Sequence, residues 1–149
     1  MSKIYLASSW RNQDQQRIVK LLREAGHEVY DFEHASYDAS NQAGSREQAG
    51  FTWSKVDPDY QQWTVADYQQ ALKHPIAEHG FQRDLDAMNW ADTCVLLLPC
   101  GRSAHAEAGW MKGAGKRVFV LVEHLEEAEL MYRLFDAVCG SPQELIAKL

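Results

Sequence analysis

TCVLLLPC, residues 93–100, is an apolar run without alternation, and its reading decides the fold. A strand with one wet face alternates apolar and polar side chains, whereas a strand covered by helices on both faces does not, so this run reads as the central strand of a parallel sheet. Working outward, HGFQRDLDAMNWA before it and SAHAEAGWMKGAG after it read as helices, and RVFVLVE as a further strand. Towards the amino end, KIYLASS is a strand, Ile18, Val19, Leu21, Leu22 and Ala25 recur at helical spacing up to Gly26, and HEVYDF is another strand. Thr64 with Asp67 caps a helix through ADYQQAL to His74, where Pro75 interrupts it. The carboxyl end gives a helix on AELMYRLF, a short strand on DAVCG and a last helix in which Ser141 caps, Pro142 occupies the first turn and Glu144 completes a capping box. Strands alternating with helices predict an α/β fold: a doubly wound, Rossmann-like or flavodoxin-like parallel sheet of about five strands with helices on both faces. Ligands are then expected beyond the carboxyl ends of the strands.

A chain of 149 residues, 46% hydrophobic, fits one domain over 1–149, with a polar and aromatic-rich insertion at about 36–63. The formal charge of -6 argues against a sequence-independent grip on a nucleic-acid polymer or an anionic membrane, since both need a basic surface. IYLA after Lys3 is too short for a signal-peptide core, and no segment is long enough to span a bilayer. Cys94, Cys100 and Cys139 are an odd set without metal-type spacing, so they read as structural thiols in a cytoplasmic protein. The six histidines also lack ligand spacing, and no metal or redox cofactor is expected. GAGK at 113–116 is not a phosphate-binding Walker loop, because Trp110 stands where glycine is needed. Cys100 in PCGRS hints at a cysteine phosphatase, but Ala106 occupies the position of the required arginine.

The carboxyl ends of the first and central strands single out Ser8 to Asn12 and Pro99 to Glu107. Gly101 and Ser103 lead into a helix whose unpaired N–H groups suit an anion, with Arg102 beside them; alternatively Ser103 is only the N-cap. Glu107 lies about one turn into that helix among Ala104, Ala106, Ala108 and Gly109, and reads either as a solvated helix glutamate or as a carboxylate facing a ligand. Asp84 and Asp92 precede the same buried strand, and paired carboxylates do glycosidic chemistry, one attacking or stabilising an oxocarbenium-like centre while another helps the leaving group. Asp92 equally reads as a polar strand-entry residue. Ser8 and Ser9 are candidate helix caps, Ser9 and Arg11 candidate ligands for phosphate or sugar oxygens, and Trp10 a flat face for a base or a core residue. Phe51, Trp53, Tyr60 and Trp63 form either a stacking lid or the cover of a hydrophobic edge.

Three motifs in order resemble the nucleoside 2-deoxyribosyltransferase-like superfamily, which includes 2'-deoxynucleoside 5'-phosphate N-hydrolases and CMP hydrolases. IYLASSWR is similar to its first strand and substrate loop, RDLDAMNWAD to its D-L-x-x-(aliphatic)-x-x-A-D helix, and GRSAHAEAGW to its nucleophile segment with E-x-G. The resemblance implies that Glu107 attacks the anomeric carbon, that Asp84 holds sugar hydroxyls or assists departure of the base, and that Asp92 lines the same pocket. It also implies that Ser9, Arg11 and Ser103 bind a 5'-phosphate, and that the chain forms homo-oligomers. Ala104, His105 and Ala106 depart from the glycines usual before the nucleophile, and the insertion is longer than in the compact phosphate hydrolases.

The expected function is cleavage of the N-glycosidic bond of a small nucleoside or nucleoside 5'-monophosphate, with transfer to water or to another base. Two other readings stand beside it: a nucleotide-sensing module without turnover, and cleavage of NAD at its nicotinamide bond.

Overall fold

The computed structural model describes residues 1–34 and 50–149. Five parallel strands form one sheet in the order β2-β1-β3-β4-β5, with β1 at Lys3–Ala7, β2 at Glu28–Tyr30, β3 at Thr93–Leu97, β4 at Arg117–Leu121 and β5 at Ala137–Cys139. All five residues of β3 are buried, as its unbroken apolar run requires. The order reverses direction between β1 and β3, so the crevice at the switch point opens beyond Ala7 and Leu97.

Alternate residues of each strand feed two separate cores. Tyr5, Tyr30, Cys94, Leu96 and Val118 face α3 (Pro75–Trp90) and α4 (Arg102–Gly113), where Ala87, Met88, Ala104, Ala108 and Met111 meet them. Ile4, Leu6, Val95, Leu97 and Phe119 face α1 (Gln15–Glu24) and α5 (Pro142–Lys148), packing on Ile18, Leu22 and Leu145. These are the helices on both faces that a doubly wound sheet demands. Among the described residues no helix is long and apolar enough to cross a membrane. The three cysteines are free, with Cys94 and Cys139 buried.

Local signals set most boundaries. Thr64 and Asp67 form a reciprocal capping box at the start of α2 (Val65–Ala71). Pro75 does not merely interrupt: it is the first residue of α3, and the ring Nδ1 of His74 accepts from the Ile76 N–H at 3.2 Å, so this helix starts four residues earlier than its periodicity suggests. At α5, Ser141 Oγ accepts from Glu144 N, but the Glu144 carboxylate reaches one residue further back, to Gly140 N at 2.9 Å. AELMYRLF departs from expectation, since it forms only a 3-10 turn over Leu130–Leu134. Tyr132 and Phe135 pack against the core while Leu130, Met131 and Leu134 are 73%, 57% and 56% exposed, so the core does not receive the whole apolar pattern, and Asp136 N already bonds Val118 O at 2.8 Å to begin the approach to β5.

Of the expected insertion, 36–49 lies outside the described residues. The remainder carries two 3-10 turns, Trp53–Lys55 and Tyr60–Gln62, joined by ring contacts. Trp53 is the hub, edge-on to Phe51 at 4.7 Å, to Trp63 at 5.5 Å and to Tyr68 at 5.8 Å.

Candidate active site

Asp84 of α3 and Glu107 of α4 line a cleft of ≈ 740 Å³ between the two helices, with Glu78 also in its lining. α4 contributes Ser103, Ala106 and Glu107, while α3 contributes Gly80, Phe81, Asp84 and Met88, and Phe51 and Trp53 close one side. Small residues at Ala104 and Ala108 let α4 lie close on β3, which turns Glu107 towards the space between the helices.

Each carboxylate stands next to a tyrosine from the sheet. Tyr5 on β1 and Tyr30 on β2 are register partners with stacked rings, centroids 5.4 Å apart at 16°. The Tyr30 hydroxyl donates to Asp84 Oδ1 at 3.1 Å, and the Tyr5 hydroxyl hydrogen-bonds Glu107. Both phenols are held well above their ordinary range, chiefly by burial, and so stay neutral donors. Sequence reasoning missed this pair, since both residues sit inside apolar strand runs and only the register brings them together.

Burial raises the Glu107 pKa to about 7; the negative charge of Asp84 adds to the rise and the Tyr5 hydrogen bond opposes it. Asp84 is raised too, again by burial, against the pull of Arg83, whose Nη2 lies 3.4 Å from its Oδ1, and of Tyr30. Asp84 and Glu107 in one cleft are both displaced upward by burial, the kind of perturbed carboxylate pair that acid–base chemistry uses. The Cys100 thiol, by contrast, is pushed up to about 11 by burial and by Glu107, so it is no thiolate nucleophile.

The anion-binding readings divide. Ser103 is the second residue of α4 and not its N-cap; the cap is Gly101, which has no side chain to satisfy the first-turn N–H groups. Ser103 lines the cleft, and the open first turn of α4 lies beside it in sequence. Ser8 Oγ instead donates to Leu97 O at 3.2 Å and Asn12 Nδ2 to Pro99 O at 3.1 Å, stitching together the loops that follow β1 and β3. Ser9 Oγ accepts from Arg11 N at 3.2 Å. Trp10, 48% exposed, packs edge-on to Phe32 at 4.9 Å and lies against Gly50, so it is neither deep core nor cleft wall. Arg11 and Arg102 are exposed at the carboxyl ends of β1 and β3, and neither they nor Ser8, Ser9, Trp10 and Gly101 line the cleft. Of the aromatic candidates, Phe51 and Trp53 do line it.

Asp92 is not part of this site. It sits at the amino end of β3, where its carboxylate accepts from Lys3 N at 3.1 Å and Thr93 Oγ1 at 2.7 Å. β3 runs five residues from there to the switch point, roughly 16 Å at ~3.3 Å per residue, so the residues adjacent in sequence to the strand lie at opposite ends of the sheet. Lys116 serves the same end, donating to the α3 carbonyls of Met88 at 2.7 Å and Asn89 at 2.9 Å. Asp92→Ala is therefore expected to cost about 1–2 kcal/mol of stability in denaturant unfolding while leaving turnover within about twofold of wild type. A turnover loss comparable to that of Glu107 variants contradicts this placement.

No family model matches the chain, and no curated protein matches it. Solved structures do. A 2-deoxyribosyltransferase from the psychrotolerant bacterium Bacillus psychrosaccharolyticus is similar at 21% identity over 97% of this chain and 90% of its own, with a TM-score of 0.62. A conserved protein from Enterococcus faecalis V583 is similar at 14% identity over 99% and 96%, TM-score 0.55. The CMP N-glycosidase BcmB of Clostridium botulinum follows at 16% identity over 97% and 96%, TM-score 0.50. At these identities the likeness is one of fold, and it agrees with the doubly wound, flavodoxin-like architecture.

Proposed function

We propose that this chain cleaves the N-glycosidic bond of a nucleoside or nucleoside 5'-monophosphate, with Glu107 as nucleophile and Asp84 as acid–base partner. The observation that carries the reading is the joint placement of these two raised-pKa carboxylates in one cleft, each beside a buried tyrosine. The similar folds of a deoxyribosyltransferase and a CMP N-glycosidase support the same bond type.

In this mechanism the ionised Glu107 carboxylate attacks the anomeric carbon from the face opposite the base. The C–N bond breaks, its electron pair leaves with the base, and the base takes up a proton from water while the Asp84 carboxylate holds the sugar hydroxyls. Tyr5 keeps the Glu107 carboxylate aimed and Tyr30 orients Asp84. In the second half, Asp84 takes a proton from water, or from an incoming base, whose oxygen or nitrogen displaces Glu107 from the sugar. The aromatic surfaces of Phe51 and Trp53 offer a platform for the base. The Ser103 hydroxyl and the free first turn of α4 favour a substrate with a 5'-phosphate.

The test is release of free base from a panel of nucleosides, their 5'-monophosphates and NAD, followed by chromatography. Base release from at least one nucleoside or monophosphate is expected, and binding without any release overturns the reading. Because attack requires the carboxylate, kcat/KM for that substrate is expected to fall about tenfold per pH unit below the Glu107 pKa of about 7. An acid limb near pH 4.5 or none at all contradicts the role given to Glu107.

A further inference from the structure

Gly50 and Gly80 each receive an aromatic side chain where another residue would carry a Cβ. On Gly50, whose φ of 75° lies in the left-handed region, a Cβ would stand 2.0 Å from Trp10 Cζ2, so the indole fills the space a side chain needs. On Gly80 of α3 it would stand 3.0 Å from Phe51 Cβ and 3.2 Å from Phe51 Cγ. Phe51 follows Gly50 directly, so Trp10 holds the chain just before it and α3 receives its ring. Trp10 has a fixed seat of its own. Ser8 Oγ and Asn12 Nδ2 tie its loop to Leu97 O and Pro99 O, and its ring stands edge-on to Phe32 at 4.9 Å. Lys55 Nζ adds a second hold, donating to Gly50 O at 2.8 Å.

We propose that Trp10 is a positioning residue for substrate binding: it stands outside the cleft and, through Gly50, sets where the Phe51 wall stands. The proposal rests on the reading of the cleft as the substrate site. Phe51 and Trp53 line the cleft and meet edge-on at 4.7 Å. The other ring contacts of Trp53 are to Trp63 and Tyr68, further along the chain, so the amino end of the wall depends on Trp10, Lys55 and the Phe51–Gly80 contact. A wall already in place when the ligand arrives spares the cost of ordering it at each encounter, so the effect falls on binding rather than on bond cleavage. Trp10 is 48% exposed, and its removal takes little from the core; what is lost is the seat of Gly50.

Wild type, Trp10→Ala, Trp10→Phe and Gly50→Ala are compared by amide hydrogen exchange and by kinetics. The N–H groups of Lys55, Val56 and Asp57 donate to Thr52 O and Trp53 O, so they report on the turn that carries the wall. In Trp10→Ala and Gly50→Ala their exchange is expected to quicken at least about fivefold while the amides of α1 and α4 keep wild-type rates. For the substrate that releases base, KM is expected to rise at least about fivefold in both, with kcat within about twofold and the acid limb of the pH profile unmoved. Trp10→Phe, which keeps a ring beside Gly50, is expected to restore most of both readouts. Unchanged exchange at 55–57, an increase spread equally over α1 and α4, or a local increase with KM unmoved overturns the proposal. Exchange needs no turnover, so it decides whether Trp10 holds the wall even if the chain releases no base, an outcome that sinks the cleavage reading alone.

Discussion

Glu107→Gln is expected to lower kcat for base release by at least about 10³-fold and, at the same time, to make the protein more stable at pH 8. The first effect follows from removing the group that forms the bond to the sugar, since an amide of nearly the same shape is no nucleophile. The second follows from linkage. The carboxyl ionises at about 7 in the folded protein against 4.5 in its ordinary setting, so its contribution to stability is fully present below the lower value and is lost as pH rises through the upper one. At pH 8 the folded state therefore carries a desolvated charge that the glutamine lacks. Relief of about 1–3 kcal/mol, a few degrees or more in Tm for a chain of this length, is expected at pH 8 and none at pH 4. Thermal unfolding of both proteins at the two pH values reads it, and a variant less stable than wild type at pH 8 contradicts the buried-charge account.

Asp84→Asn gives the second large effect, a fall in kcat of about 10²-fold or more, because the group that takes the proton from the incoming water or base is removed. It also carries a signature that mere damage to the cleft does not produce. The Asp84 charge helps to hold the Glu107 pKa up, so removing it shifts the acid limb of the remaining activity to lower pH. Asparagine keeps an oxygen for the Tyr30 hydroxyl, which preserves the packing. A full pH profile of the variant checks both parts, and an acid limb that stays in place removes Asp84 from the electrostatic partnership.

The architecture was legible because its signals are local and repeated. TCVLLLPC announces a strand buried on both faces, and a strand–helix alternation with right-handed crossovers leaves few topologies, so the switch point follows from pattern, whereas Glu107 kept two readings there until the motif resemblance favoured one. Site geometry was legible only where it depends on one helix. Glu107 and Ser103 share α4 and both line the cleft, whereas Asp92 was grouped with Asp84 because both precede β3, although the chain reaches the far end of the sheet between them. Tyr5 and Tyr30 were invisible for the opposite reason: 25 residues separate them, and a register fixed by packing puts their rings together and their hydroxyls beside the two acids. AELMYRLF shows the limit of periodicity, since a helical pattern forms a helix only where a core receives its apolar face.

The most direct measurement of the central claim is the intact mass of the protein after incubation with a nucleoside bearing fluorine at the sugar 2' position. The electron-withdrawing fluorine destabilises the oxocarbenium-like state of both steps, and a good leaving base lets the first proceed while the second stalls. The account predicts a mass increase of one fluorinated sugar, located by peptide mapping on Glu107 and absent from Glu107→Gln. Release of base by wild type with no adduct, or an adduct on Asp84 or any other residue, contradicts it.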